Sequence, residues 1–212
     1  MNNKVGAFCS LLQFIHNDHS RWARDRTVNH QQRQLYDKVS KGYRPVEVMR
    51  LNVTIREAKA GRVFLLSQKE GFLFLRPPEK DRVLLPVIGL EGDFNKPEIK
   101  IRMALFTIDK RGQLAAIGFR FERGEGRHSY HHAQFIKTLA AGDLPGAPEW
   151  LPERQPAFLM SARNPFSLFL GVLTGLYGFD YLEKVWPAGH LYREHLREDF
   201  QDLRTGCGAP SL

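Results

Sequence analysis

The chain contains few cysteines and lacks the short motifs that identify nucleotide-binding or redox enzymes. Cys9 and Cys207 are the only cysteines among 212 residues, and they show no CxxC or Cys/His zinc spacing. We therefore expect neither a disulfide framework nor a zinc finger. The sequence has no GxxxxGK[ST] loop, no GxGxxG and no GxSxG, which disfavours nucleotide hydrolysis and cofactor-dependent redox chemistry. We expect no cofactor and no resident metal.

The chain also lacks an apolar run long enough to cross a bilayer. The most apolar segment, Phe166 to Tyr177, is too short, and Gly171 and Gly175 lie within it. Residues 5–15 are partly apolar, but one lysine precedes them and no small-residue cleavage site follows, as a signal peptide would require. We therefore expect a soluble, cytoplasmic protein with no membrane span.

The composition is that of a folded, basic protein. Hydrophobic residues make up 42% of the chain, Phe accounts for 15 positions, and the net charge is +8. This length and apolar content fit one domain, residues 1–212, with a sizeable core. A basic excess attracts nucleic acid or an acidic protein surface, although it also serves solubility alone.

Residues 1–44 form a predicted helical arm that becomes strongly basic after residue 20. Phe8, Leu11 and Ile15 recur at helical spacing, which is typical of an amphipathic helix packed on the body of a protein. Residues 20–44 contain seven lysines and arginines against two aspartates. This stripe is either a solvated helical surface or a phosphate-binding one. The predicted nucleic-acid contacts are Arg21, Arg24, Arg26 and Arg33, together with Arg127 from a later loop.

Residues 45–123 are predicted to form a mainly antiparallel meander of about five or six strands. The region opens with Met49, Leu51, Val53 and Ile55 alternating with polar residues, which predicts a strand. A glycine-containing turn at residues 109–112 joins two alternating runs and indicates a β-hairpin. Pro86 places the short run around it at a sheet edge.

Residues 124–212 are predicted to hold a histidine-rich loop and the C-terminal helices. A short helix is expected over residues 132–140. The segment Phe166 to Tyr181 is apolar nearly all round, with Asn164 as its cap and Pro165 in its first turn, so it predicts a buried helix or a partner-binding surface. A last helix is expected over residues 190–204. The overall prediction is an α+β fold, with the sheet between an N-terminal helical arm and these helices.

The histidines of this loop are the densest set of titratable groups in the chain. His128, His131 and His132 are candidate general acids or bases, with Arg127 and Tyr130 available to stabilise phosphate charge. No spacing fixes a third ligand or a companion acid, so a structural histidine cluster remains open. Two hypotheses follow. The first is a non-catalytic basic subunit that contacts nucleic acid or an acidic partner; the alternative is a small phosphodiesterase or ribonuclease.

Overall fold

The structure is a computed structural model that describes most of the chain in several segments. The described residues are 3–79, 82–93, 98–123, 131–140, 142–147, 158–160, 162, 164–179, 197–199 and 201.

Four helices and one sheet of seven strands make up the named elements of the described residues, which confirms the α+β class. The helices are α1 Asn3–Arg24, α2 His30–Gly42, α3 Val48–Lys59 and α4 Pro165–Tyr177. The strands are β1 Phe64–Leu66, β2 Leu73–Phe74, β3 Leu85–Asp93, β4 Glu98–Ile108, β5 Leu114–Arg123, β6 His131–Ile136 and β7 Phe158–Leu159.

The sheet is an antiparallel meander in the order β1-β3-β4-β5-β6-β7, with β2 also paired to β3. Its centre is the predicted hairpin of β4 and β5, in which Met103 lies opposite Phe119. Asp109 Oδ1 holds the hairpin turn by accepting the main-chain N–H groups of Arg111 and Gln113 at 2.9 and 2.8 Å. Gly112 completes the turn at φ 75°, a conformation that glycine adopts without strain.

Helices cover both faces of the sheet, so the domain has three layers. The face that carries Ile101 and Met103 packs against α1, α3 and α4; we call it the α4 face. The opposite face, with Ala104 and Phe106, packs against α2 and the segment 137–147; we call it the α2 face. Because successive side chains of a strand point to opposite sides, residues of alternate number on β4 enter different cores.

The predicted strand over residues 49–56 is wrong, because this segment forms α3. The residues that α3 buries are Leu51, Thr54, Ile55 and Ala58, a spacing of three and four that matches one helix face. Met49, which a period of two placed with Leu51, is 78% exposed. The sheet therefore begins at β1.

Two further predictions within the sheet are wrong. Residues 132–140 begin as β6 rather than as a helix, and Phe121 of β5 lies opposite Ala133. Pro86 does not mark an edge, since β3 pairs with β4 on one side and with β1 and β2 on the other. Pro86 is the second residue of β3, and its carbonyl accepts the N–H of Leu75 at 3.0 Å.

Helix α4 confirms the predicted buried helix, but it ends at Tyr177, where Gly178 at φ 70° is its C-cap, rather than at Tyr181. Asn164 accepts the N–H groups of Phe166 and Ser167, and the Ser167 hydroxyl accepts the N–H of Asn164, which completes a capping box. The predicted helix over residues 190–204 lies mostly outside the described residues. The structure describes only 197–199 and 201 of this segment, and these four residues are helical. No helix in the described part of the chain is long and apolar enough to cross a bilayer.

Candidate functional sites

Four arginines lie together where α1 ends and α2 begins. Arg21, Arg24 and Arg26 are exposed, and Arg33 is half-buried. Arg24 Nε donates to the carbonyl of Ser20 at 3.0 Å. We call these four residues the arginine corner.

Main-chain contacts hold the arginine corner together. Arg33 Nη2 donates to the carbonyl of Asp25 at 2.7 Å, which brings the start of α2 against the end of α1. Asp25 Oδ1 accepts the N–H and hydroxyl of Thr27 at 2.8 and 2.9 Å, a turn typical of Asp at the end of a helix. Asn29 then caps α2 by accepting the N–H of Gln32 at 2.8 Å. The bend therefore follows from the local sequence Asp25 to Asn29.

The arginine corner carries uncompensated positive charge. Residues 21–33 contain four arginines and one acid, Asp25, which leaves a formal charge of +3. Within the described residues, no guanidinium of the corner forms an ion pair, whereas Arg50 and Arg82 pair with Glu70 and Glu79. The amino end of α2 adds the positive end of a helix dipole beside Arg33.

The structure describes two of the three predicted catalytic histidines, His131 and His132. His128, and with it Arg127, lies outside the described residues. His131 and His132 are adjacent in β6, and both are buried, at 5% and 6% exposed. Because neighbouring side chains of a strand point to opposite sides, His131 belongs to the α4 face and His132 to the α2 face.

His131 is anchored through one ring nitrogen. Its Nδ1 lies 2.7 Å from the carbonyl of Ala162, which requires Nδ1 to carry the proton and donate. Its buried Nε2 has no hydrogen-bond partner among the described residues. Burial lowers the pKa of His131 below its usual value; the bond to Ala162 opposes this shift, while the positive Arg123 adds to it. The arrangement keeps a neutral imidazole between the sheet and the segment that leads into α4.

His132 belongs to a polar network on the α2 face. Gln134 Nε2 donates to His132 Nε2 at 2.9 Å, and Arg120 Nη2 donates to Gln134 Oε1 at 2.8 Å. Glu122 Oε1 lies 3.1 Å from Arg120 Nε and 3.8 Å from His132 Nε2. Since Nε2 of His132 already accepts from Gln134, this nitrogen is engaged within the protein rather than facing a substrate.

The two described histidines therefore do not form an acid–base pair around one substrate. Such a pair needs both groups within hydrogen-bond reach of the same reacting atoms, and here the sheet lies between them. In the described residues, no group of three or more His, Cys, Asp or Glu side chains is arranged to hold a metal ion.

Sequence reasoning did not identify a second basic feature, on the α2 face. Arg102 lies directly opposite Arg120 on the neighbouring strand. Lys100, which is exposed, precedes Arg102 by two residues and is on the same face. Like charges opposite each other destabilise a strand pair, but Glu122 compensates Arg120. The alternation of β4 and β5 was visible in the sequence, whereas the pairing of these two arginines depends on register.

Comparisons with known proteins give no relative of this chain. No family model matches it, and neither a curated protein nor a solved structure matches it. Function is therefore inferred from the side chains described above.

Proposed function

We propose that the protein is a non-catalytic binding protein that contacts nucleic acid through the arginine corner. The observation that carries this proposal is that, within the described residues, no ion pair neutralises the four arginines at the end of α1 and the start of α2. Guanidinium groups bind phosphate oxygens in a bidentate manner. Arg24 and Arg33 are already held by main-chain carbonyls, so they lose less side-chain freedom on binding than mobile arginines would.

The surface chemistry favours nucleic acid over an acidic protein. Stable protein interfaces are organised around buried aromatic or aliphatic anchors. The exposed large hydrophobic residues of the described chain are Val48, Met49, Val63, Ile117 and Phe158, and none lies in the corner. Binding to a phosphate backbone needs no apolar anchor, because its free energy comes largely from the release of condensed counterions.

The geometry of β6 supports the non-catalytic part of the proposal. The alternative, phosphodiester cleavage, needs a base and an acid on one substrate, and His131 and His132 point to opposite faces of the sheet. Burial further disfavours protonation of His131, which weakens it as a general acid. A binding role requires neither group.

Charge reversal at the corner tests the proposal. The variant Arg24→Glu/Arg33→Glu is compared with Lys59→Glu/Arg62→Glu, which makes the same change of net charge at exposed residues elsewhere. Lys59 lies near Cys9, whose pKa it influences, and Cys9 precedes Arg24 by fifteen residues of α1. At 1.5 Å per residue, Cys9 and Arg24 are about 22 Å apart along α1, which is well beyond the screening length of about 8–10 Å at physiological salt.

The assay is fluorescence anisotropy with a labelled single-stranded RNA and a labelled DNA duplex. We expect the corner variant to lose roughly tenfold or more in affinity for both probes, because two phosphate contacts are replaced by repulsion. The control variant should remain within about threefold of wild type, since its charges are screened from the bound strand. Equal losses in both variants would contradict a localised site.

Two additional measurements separate the competing functions. An excess of polyglutamate should compete poorly with the nucleic acid; strong competition would indicate an acidic protein partner instead. Labelled RNA should remain intact on prolonged incubation with the protein. Cleavage that disappears in His131→Ala or His132→Ala without a fall in melting temperature would contradict the non-catalytic proposal.

A further inference from the structure

An apolar cavity of about 370 Å³ lies between α4 and strands β4 to β7. It is on the α4 face and open to solvent at one side, and Gln134, which belongs to the polar network of His132, contributes to its lining. Phe158, at its rim, is 53% exposed. Thirteen of the described residues line it, among them Met103, Phe119, Phe135 and Met160, together with Gly175 and Leu176 of α4.

The lining specifies the charge of an occupant. None of the described residues that line the cavity has an ionisable side chain, so a charged group placed against them would lose its hydration without compensation. The single amide in the lining belongs to Gln134, and its oxygen and nitrogen are already bonded to Arg120 and His132. The remaining wall is formed by phenylalanines, methionines, aliphatic side chains and glycines.

The size of the cavity suits a small molecule rather than a protein. Thirteen lining residues are fewer than the roughly 20–30 residues that each partner contributes to a stable protein interface. The volume lies within the range of about 300–1,000 Å³ that is typical of small-molecule sites. A cavity of about 150 Å³ holds one benzene ring, so by proportion this one holds about 15 carbon atoms.

We propose that this cavity binds the uncharged hydrocarbon portion of a small lipid-like molecule. Met103 and Met160 adapt their flexible side chains to an irregular chain, and Phe119 and Phe135, whose ring centroids are 5.2 Å apart, form a rigid apolar wall. Gly175 leaves the α4 wall open, because a Cβ at this position would meet no atom within 4 Å. Any polar head group of the ligand lies at the open side, near Phe158.

The probe is 1-aminoanthracene, an uncharged fluorophore that is smaller than the cavity and brightens in apolar surroundings, with dodecanol as the competitor. Wild type should show saturable fluorescence that dodecanol reverses, and dodecanol should raise the melting temperature because it binds the folded state. Gly175→Leu places a side chain in the open space and should weaken probe binding roughly tenfold or more, since each displaced methylene contact contributes to affinity.

Gly6→Leu is the matched control. Gly6 is also a helical glycine at which a Cβ would meet no atom within 4 Å, but it lies in α1 and does not line the cavity. It should bind the probe like wild type. Absence of saturable binding to wild type, or equal binding by Gly175→Leu and wild type, would overturn the proposal. So would a wild-type dimer in solution that Gly175→Leu dissociates, because the occupant would then be a second copy of the chain.

Discussion

His19 should make the stability of this protein depend on pH in a way that one substitution can isolate. Its imidazole is 4% exposed and is surrounded by Trp22, Tyr36 and Phe74, with ring centroids 5.5–5.6 Å away. Its Nε2 is buried without a hydrogen-bond partner among the described residues. Burial, with a smaller contribution from His16, lowers the pKa of His19 from 6.5 to about 3.

The direction of the effect follows from proton uptake on unfolding. In the unfolded chain His19 regains a pKa near 6.5, so below that pH the unfolded state binds a proton that the folded state does not. The stability associated with neutral His19 is therefore complete above pH 6.5 and is lost progressively as the pH falls toward 3. Each pKa unit corresponds to about 1.4 kcal/mol, so at pH 5 the loss attributable to His19 is about 2 kcal/mol.

The assay is urea unfolding of wild type and His19→Phe at pH 7.5 and pH 5. Phe keeps an aromatic ring among Trp22, Tyr36 and Phe74 and removes the titratable group. Wild type should lose about 2 kcal/mol more between the two pH values than the variant does. His16 and His131, whose pKa values burial also lowers, remain in both proteins and cancel in the difference. An equal pH dependence of the two proteins would refute a buried, neutral His19.

Five further substitutions, at four positions, test the packing. Gly71→Ala should destabilise the protein severely, because Gly71 has φ 95° and a Cβ there would lie 2.6 Å from Val46 Cα, whereas Gly61→Ala should cost only about 1 kcal/mol since its positive φ lies in open space. Leu170→Asp should leave no folded protein in chemical denaturation, and Leu170→Ala should lose about 2–5 kcal/mol, because Leu170 is 1% exposed. Asn164→Ala should lower the unfolding free energy by about 1–2 kcal/mol through loss of the α4 cap. A wild-type urea midpoint for Leu170→Asp, or for Asn164→Ala, would contradict these assignments.

The sequence predicts elements whose signals are local. The β4–β5 hairpin has strict alternation and a turn with Asp109 and Gly112 at the positions that its geometry requires. Helix α4 combines a cap, a proline in the first turn and a continuous apolar surface. In each case propensity, pattern and end signals all favour the same structure.

Helix α3 was predicted as a strand because its apolar residues fit both periodicities. Leu51 and Ile55 are four residues apart, so they fit a strand of period two and a helix of period 3.6 equally well. The β-branched Val53 and Thr54 favoured the strand locally. As a helix, α3 packs against α1, where Gln13 Nε2 donates to Asn52 Oδ1 at 2.8 Å. This tertiary contact cannot be predicted from the local sequence.

The candidate sites also combine features that the local sequence predicts with features that depend on tertiary packing. The positive charge of the arginine corner can be predicted from the sequence. The contact of Arg33 with the carbonyl of Asp25 cannot, because it depends on the bend between α1 and α2. A helix would have placed His128 and His132 on one face, whereas the observed strand places His131 and His132 on opposite faces. The apolar cavity arises from the distance between α4 and the sheet, for which a one-dimensional pattern carries no signal.

The salt dependence of nucleic-acid affinity is the most direct test of the proposal that the arginine corner binds nucleic acid. For wild type and Arg24→Glu/Arg33→Glu, the dissociation constant for a DNA duplex is measured between roughly 50 and 200 mM salt. Each phosphate contact contributes about 0.9 to the slope of the logarithm of affinity against that of salt concentration. If the arginine corner binds phosphate, the wild-type slope is steep, falls by about 1.8 in Arg24→Glu/Arg33→Glu and stays unchanged in Lys59→Glu/Arg62→Glu. A wild-type affinity that is insensitive to salt, or a slope that the corner variant leaves unchanged, would contradict this proposal.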